Sequence, residues 1–165
     1  MPPVILACML ASAAQYHLPS KALPAISQVE GGRPGLVSRN TDGSADLGLM
    51  QINTRWVLPL AAATHVSVPE TAERLIHDPC FSIRAAAIVL STYIREEHGD
   101  VLRAVGDYHS HTDTLNEEYR MKVVAAALGL SGTGSAASGQ VRFRRAGGHL
   151  IPVVWPVRRH GKAAR

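Results

Sequence analysis

The sequence predicts an all-α, mainly helical domain over residues 1–130, interrupted by one small irregular β-like insertion after residue 30. Three observations predict it. Aromatic residues make up 5% of the 165 residues against 46% hydrophobic residues, and Ala and Leu dominate the apolar set. Tightly packed helices use such residues, whereas strands favour β-branched and aromatic ones. Apolar positions also recur at helical spacing between recognisable caps. By contrast, Asn40-Thr41-Asp42-Gly43-Ser44 is dense turn chemistry, flanked by short segments able to pair as a hairpin.

Residues 4–17 form an apolar run that Pro19 stops. Ser20 is a candidate N-cap for a second helix through Glu30, in which Leu23, Ile26 and Val29 lie about one turn apart. Gly31-Gly32 and Pro34-Gly35 then end helix formation. Helical signals resume after Asn53. Asp78-Pro79 supplies an N-cap with proline at the first helical position. Behind it Ile83, Ala86, Ala87, Leu90 and Ile94 form an apolar stripe ending near Gly99. Asp100 caps a further helix to about Ser110, and a last helix over 115–128 closes at Gly129. Residues 131–165 change character: a Ser, Gly and Ala linker to Gly139, then a basic tail expected to be mostly disordered.

The formal charge of +4 belongs to that tail. Residues 1–130 carry all 13 Asp and Glu against 10 Lys and Arg, a net −3, while the last 35 residues carry +7 with no acid. The acidic body lacks interleaved basic and aromatic residues, which argues against a nucleic-acid groove. No apolar run reaches the roughly 20 residues of a membrane-spanning helix. Val4 to Ala14 admits two readings. Ala11-Ser12-Ala13 resembles a signal-peptidase site, but no Lys or Arg precedes Lys21. The stretch is read instead as the first helix of the domain, with any export signal upstream of this start or already removed.

Glu30 is the candidate catalytic acid. It follows a mostly apolar helix and precedes a glycine turn that leaves room for a ligand. The helix C-terminus disfavours a carboxylate and raises its pKa. A carboxyl group kept protonated near neutral pH can protonate a poor leaving group such as a glycosidic oxygen.

The segment Ser38 to Trp56 extends this reading. Its Asn-Thr-Asp-Gly-Ser-Ala-Asp block and Gln51-Ile52-Asn53-Thr54-Arg55-Trp56 ending resemble c-type lysozymes. Gly48-Leu49-Met50-Gln51-Ile52 resembles the soluble (SLT) lytic transglycosylases. With Asp78-Pro79-Cys80 and Ala104-Val105-Gly106-Asp107-Tyr108-His109-Ser110, the ordered set is most similar to the small specialised transglycosylases of secretion, pilus and conjugation machines. The resemblance covers residues 5–128. It implies a lysozyme-like fold and cleavage of peptidoglycan glycan strands, by a monomer in the periplasm or outside the cell.

By position, the resemblance makes Glu30 the acid/base and Gln51 a sugar-contacting amide, with Met50 packed behind the site. It marks Ser38 and Asn53 as substrate-binding candidates, Ser38 lying near a family serine that hydrogen-bonds the glutamate. It makes Tyr108 the tyrosine whose hydroxyl lies over that glutamate. Gly31 and His109 depart from the larger enzymes, which have Ser and Asn there. His109 and His111 are read as exposed helix-end side chains; no metal and no cofactor is implied. In the small group, cysteines placed like Cys8 and Cys80 look like a disulfide pair, which needs an oxidising compartment.

Asp46 leaves two chemistries open. It aligns with the second carboxylate of c-type lysozymes, the type case of a protonated glutamate working with an ionised aspartate, and so allows hydrolysis. The SLT-type enzymes need no second carboxylate and close a 1,6-anhydro ring instead. The motif set favours the lyase, with Asp46 as stabiliser. A module that binds the wall without cleaving it is the remaining alternative, which the intact Glu30, Gln51 and Tyr108 argue against.

Overall fold

The computed structural model describes residues 1–129 in full, together with the backbone of two strands in the tail. Seven α-helices occur among the described residues: α1 Pro3–Gln15, α2 Ala22–Glu30, α3 Val57–Thr64, α4 Val68–His77, α5 Pro79–Glu96, α6 Val101–Asp107 and α7 Asp113–Gly129. Between α2 and α3 lies a small antiparallel sheet in the order β1 (Val37–Arg39), β2 (Ala45–Leu47), β3 (Ile52–Asn53), followed by a single 3₁₀ turn, Thr54–Trp56. This is the mainly helical, lysozyme-like architecture expected, with the insertion grown from a hairpin to three strands.

The caps show why the helices begin where they do. Asp78 accepts a hydrogen bond from the Phe81 amide at 3.0 Å, and Asp100 one from the Arg103 amide at 2.9 Å, each quenching an orphan donor of a first turn. Ser20 does not play this part. α2 begins one residue later, with Lys21 at the cap position and no side-chain bond, because the Ala22 amide is already taken by the Pro19 carbonyl at 2.9 Å. α6 also stops at Asp107, short of the expected Ser110.

The core is aliphatic. Leu23, Ile26, Met50, Leu60, Leu75, Ile83 and Leu90 are all fully buried. The α5 stripe forms its spine, with Ile83, Ala86, Ala87 and Leu90 inaccessible to solvent. α5 packs on α1, α4 and α6, while α7 packs on both α2 and α6. Cys8 of α1 is bonded to Cys80 of α5, with Cα atoms 5.5 Å apart. The pairing implied by the resemblance is therefore present, and it locks the first helix to the domain as the sequence reading required.

Two close approaches bring the site segments together. A Cβ at Gly32 would lie 2.4 Å from the Leu49 carbonyl oxygen, so the turn after Glu30 rests directly on the backbone of residues 48–49. Gly48 has a positive φ of 67°, and a Cβ there would lie 1.9 Å from the Leu75 carbonyl oxygen. A side chain at Gly32 would push the turn after α2 away from residues 48–49, and one at Gly48 would push that segment away from α4.

In the tail, β4 (Val141–Ala146) and β5 (His149–Val154) pair antiparallel, with Val141 opposite Val154 and Ala146 opposite His149. These residues were expected to lack regular structure. Composition hid a hairpin pattern: β-branched and aromatic residues on both sides of a Gly147-Gly148 pair. The 131–139 linker and the end of the tail from residue 155 lie outside the described residues.

The 72-residue separation of the cysteines sets the expected worth of the bridge. Chain-entropy reasoning gives roughly 4 kcal/mol for a loop of that size. Urea unfolding of the oxidised protein and of its Cys8→Ala/Cys80→Ala variant is expected to differ by about that amount, with unchanged helical circular dichroism at zero denaturant.

Candidate active site

The sheet aligns three of the expected site residues. Ser38 pairs with Asp46, and Asp46 with Asn53, so one residue from each strand falls in a single cross-strand row. Directly opposite residues project from the same face. Asp46 and Asn53 of that row line an open cleft of about 320 Å³ together with Glu30, Gln51, Tyr93, Tyr108 and His109, whereas Ser38 does not line it. That volume falls within the usual range for binding clefts.

Glu30 is half-buried at the last residue of α2, where Gly31 reverses the chain in a left-handed conformation. Its carboxyl is raised from 4.5 to about 7. Burial is the main cause, since desolvation penalises the charged form; a hydrogen bond from Tyr119 lowers the value, and the negative charge of Asp46 raises it. The Tyr119 hydroxyl donates to Glu30 Oε1 across the α2–α7 contact. Tyr119 is 4% exposed, and its own hydroxyl is held far above its ordinary pKa by burial and by Glu30, so it keeps its proton and remains a donor.

The tyrosine hydrogen-bonded to the glutamate is thus Tyr119. Tyr108 lines the same cleft, but its hydroxyl donates to the Met50 carbonyl at 2.9 Å and fastens α6 to the Gly48–Gln51 loop. Burial, with Glu30 nearby, keeps that hydroxyl protonated. Tyr119 escaped the sequence reading because no motif flagged it. The available signal was periodicity: Asn116, Tyr119, Val123 and Ala126 form the buried stripe of α7, so a tyrosine hydroxyl is carried inward on a helix facing α2.

Ser38 also differs from expectation. Its hydroxyl donates to Gln51 Oε1 at 2.7 Å rather than to Glu30. Gln51 in turn donates from Nε2 to the Gly48 carbonyl at 2.8 Å. With φ at 47°, Gln51 sits in left-handed backbone, where few side chains other than glycine are at ease. Two hydrogen bonds and an unusual backbone therefore fix its amide on the cleft wall. Behind it Met50 is fully buried, as expected, and its amide donates to the Ser82 hydroxyl of α5 at 3.2 Å.

Asp46 is clamped by amides. Asn40 donates to Oδ2 at 3.1 Å and Asn53 to Oδ1 at 2.8 Å, and both asparagines also donate to Ser44 Oγ at 3.0 Å. Each carboxylate oxygen thus has an amide donor that fixes it in place. Asn53 is thus a positioning residue for Asp46, and Asn40 has the same part without having been singled out. His109 is exposed but not idle. Its ring stacks on Tyr119 with centroids 4.9 Å apart and planes 4° from parallel, while burial and then Lys122 lower its pKa. His111 meets Tyr93 edge-on at 5.2 Å.

A half-buried acid and a clamped carboxylate thus line one cleft between the helical body and the small sheet. Residues 7–123 match the family described as the transglycosylase SLT domain. The chain belongs to this family. Among curated proteins, the chain is 34% identical over 116 residues to invasion protein IagB of Salmonella typhimurium, covering 70% of this chain and 69% of that protein. It is 33% identical over 109 residues to protein IpgF of Shigella flexneri, covering 66% and 68%.

The raised pKa of Glu30 carries a stability cost with a definite sign. Because the folded value lies above the unfolded one, the native state holds the proton more tightly, and stability falls as pH rises from about 4.5 through about 7. Glu30→Gln removes the ionisation. At pH 8 the variant is expected to exceed the parent in stability by up to about 3 kcal/mol, with the gap closing toward pH 4.5. Thermal melts across that range check it.

Proposed function

We propose that the protein is a peptidoglycan lytic transglycosylase that cleaves the β-1,4 bond between N-acetylmuramic acid and N-acetylglucosamine. The observation that carries this reading is Glu30: a single carboxyl with a pKa of about 7, lining a saccharide-sized cleft in a chain of the SLT family. A group that is half protonated near neutrality can give a proton and then take one back.

In the reaction, neutral Glu30 donates its proton to the glycosidic oxygen. The C1–O bond breaks with the pair leaving on the departing sugar, and positive charge develops at C1. The Asp46 carboxylate, held by Asn40 and Asn53, stabilises that charge. The Glu30 carboxylate then accepts the proton of the muramyl 6-hydroxyl, whose oxygen closes on C1 to form the 1,6-anhydro ring. Glu30 returns to its starting state and no water is consumed. Intramolecular attack gains from the high effective concentration of a hydroxyl on the same sugar. Gln51, fixed by Ser38 and the Gly48 carbonyl, presents its remaining amide hydrogen to the N-acetyl sugar.

Asp46 lining the same cleft favours one second reading, lysozyme-type hydrolysis, in which water replaces the 6-hydroxyl. Each oxygen of Asp46 already carries an amide hydrogen bond, which supports a stabiliser over a nucleophile. The Cys8–Cys80 bond supports action in an oxidising compartment, where the wall is found. The ordered motif set, with a relative named as an invasion protein, supports service to an envelope-spanning secretion, pilus or conjugation machine.

Mass spectrometry of muropeptides released from purified sacculi tests the chemistry. Anhydro-muramyl products are expected from the parent and none from Glu30→Gln. Reducing-end products instead would favour hydrolysis with Asp46 engaged, and no products from a folded, wall-binding protein would leave only a binding module. The pH profile gives a second check. Activity is expected to fall above about pH 7 as Glu30 ionises. Tyr119→Phe removes a bond to the carboxylate and should move that limb upward, whereas Asp46→Asn removes a repelling charge and should move it downward.

A further inference from the structure

The reaction end of the cleft uses Glu30, Asp46, Gln51 and Tyr119. Arg55 belongs to none of that chemistry, yet it lines the same cleft and is the only lysine or arginine among the described residues that do. The other formal charges there are the carboxyls of Glu30, Asp42, Asp46 and Asp107. A cleft for uncharged sugar rings has no need of a cation, and an acidic wall would bind a cation of its own unless it were kept apart.

Arg55 is kept apart. Its Nε donates to Asn53 Oδ1 at 3.1 Å, and its backbone amide donates to the same oxygen at 3.1 Å. Among the described residues it makes no ion pair. Asp42, the nearest candidate, is instead engaged by Ser44, whose hydroxyl and amide hold its carboxyl below the ordinary range, with Arg55 adding at longer range. The charge of Arg55 also reaches Tyr93 on the opposite wall, opposing the upward push of burial there. The guanidinium is therefore exposed on the cleft wall and pinned at Nε.

We propose that Arg55 recognises a carboxylate of the peptide stem carried by the muramyl sugar, making the enzyme selective for glycan strands with acidic stems. This rests on the peptidoglycan reading above. The sugar backbone itself supplies no anion once the lactyl group is in amide linkage, so the stem peptide is where a substrate carboxylate resides. A fork of two terminal N–H groups fits such a carboxylate in a bidentate pair. Asn53 links the two groups, donating to Asp46 from its amide and accepting from Arg55 at its carbonyl. Stem recognition is thereby set in register with the reacting bond.

Binding in the Glu30→Gln background tests this without turnover. The probes are two synthetic tetrasaccharides of alternating N-acetylglucosamine and N-acetylmuramic acid with L-alanyl-D-glutamate stems, one with free stem carboxyls and one with those carboxyls amidated. Calorimetry is expected to show the free acid bound about tenfold more tightly, the worth of one charge-assisted pair. Adding Arg55→Gln should bring the ratio of the two affinities close to one, and Arg55→Lys should restore part of it. Equal binding of both probes by the Arg55 protein overturns the proposal alone, as does a ratio that Arg55→Gln leaves unchanged. Binding of neither probe overturns it together with the peptidoglycan reading.

Discussion

A carboxylic acid in water gives up its proton two to three pH units below neutrality, and acid chemistry on a glycosidic bond depends on preventing that. The structure prevents it by burial. Glu30 closes α2 on the wall of a cleft, with Tyr119 above it and the backbone of residues 48–49 pressed against the following turn. Desolvation outweighs the Tyr119 hydrogen bond, which acts in the opposite direction. The bond is nonetheless useful, because it fixes the carboxyl without fully restoring its acidity. Asp46 adds repulsion to desolvation, so the two carboxyls have different environments: one half-buried and poorly solvated, the other ringed with amide donors. Divergent surroundings of this kind are what the proposed division of labour between the two carboxyls requires.

The scaffold follows from holding that arrangement. α7 must lie against α2 to deliver Tyr119, and α6 must lie against the Gly48–Gln51 loop, to which Tyr108 is tied by its hydroxyl. Ser82 on α5 holds the same loop from behind through the Met50 amide. α1 contributes no side chain to the cleft; its part is to brace α5, and the Cys8–Cys80 bond makes that brace covalent. Burying an ionisable group costs folding free energy, which a stapled body can bear.

Much of this was legible in the sequence because it was written locally. Asp78-Pro79 and Asp100 encode helix starts through hydrogen bonds within three residues of themselves, and both do so. Glycines mark the turn after Glu30, and the motif segment identified Asp46, Gln51 and Asn53 as cleft residues. What was illegible depended on tertiary register. Ser38 faces Gln51 because strand pairing sets it opposite Asp46, and a loop one residue longer or shorter would send it elsewhere. Tyr119 lies 89 residues from Glu30, and only the packing of α7 on α2 reveals their contact. A motif pointed to Tyr108 because it is embedded in recognisable neighbours, whereas Tyr119 stands in an unremarkable helical stretch. Ser20 looked like a cap on composition, but the Pro19 carbonyl had already satisfied the amide it would have served.

The proposed chemistry depends on the protonation of one side chain, Glu30. Carbon-13 NMR of protein labelled at the glutamate carboxyl, titrated from pH 3 to 9 and assigned by loss of one resonance in Glu30→Gln, measures it directly. This resonance is expected to titrate near 7. A midpoint of about 4 to 4.5, that of an ordinary solvated glutamate, would contradict it, because Glu30 would then be ionised at neutral pH and unable to act as the acid.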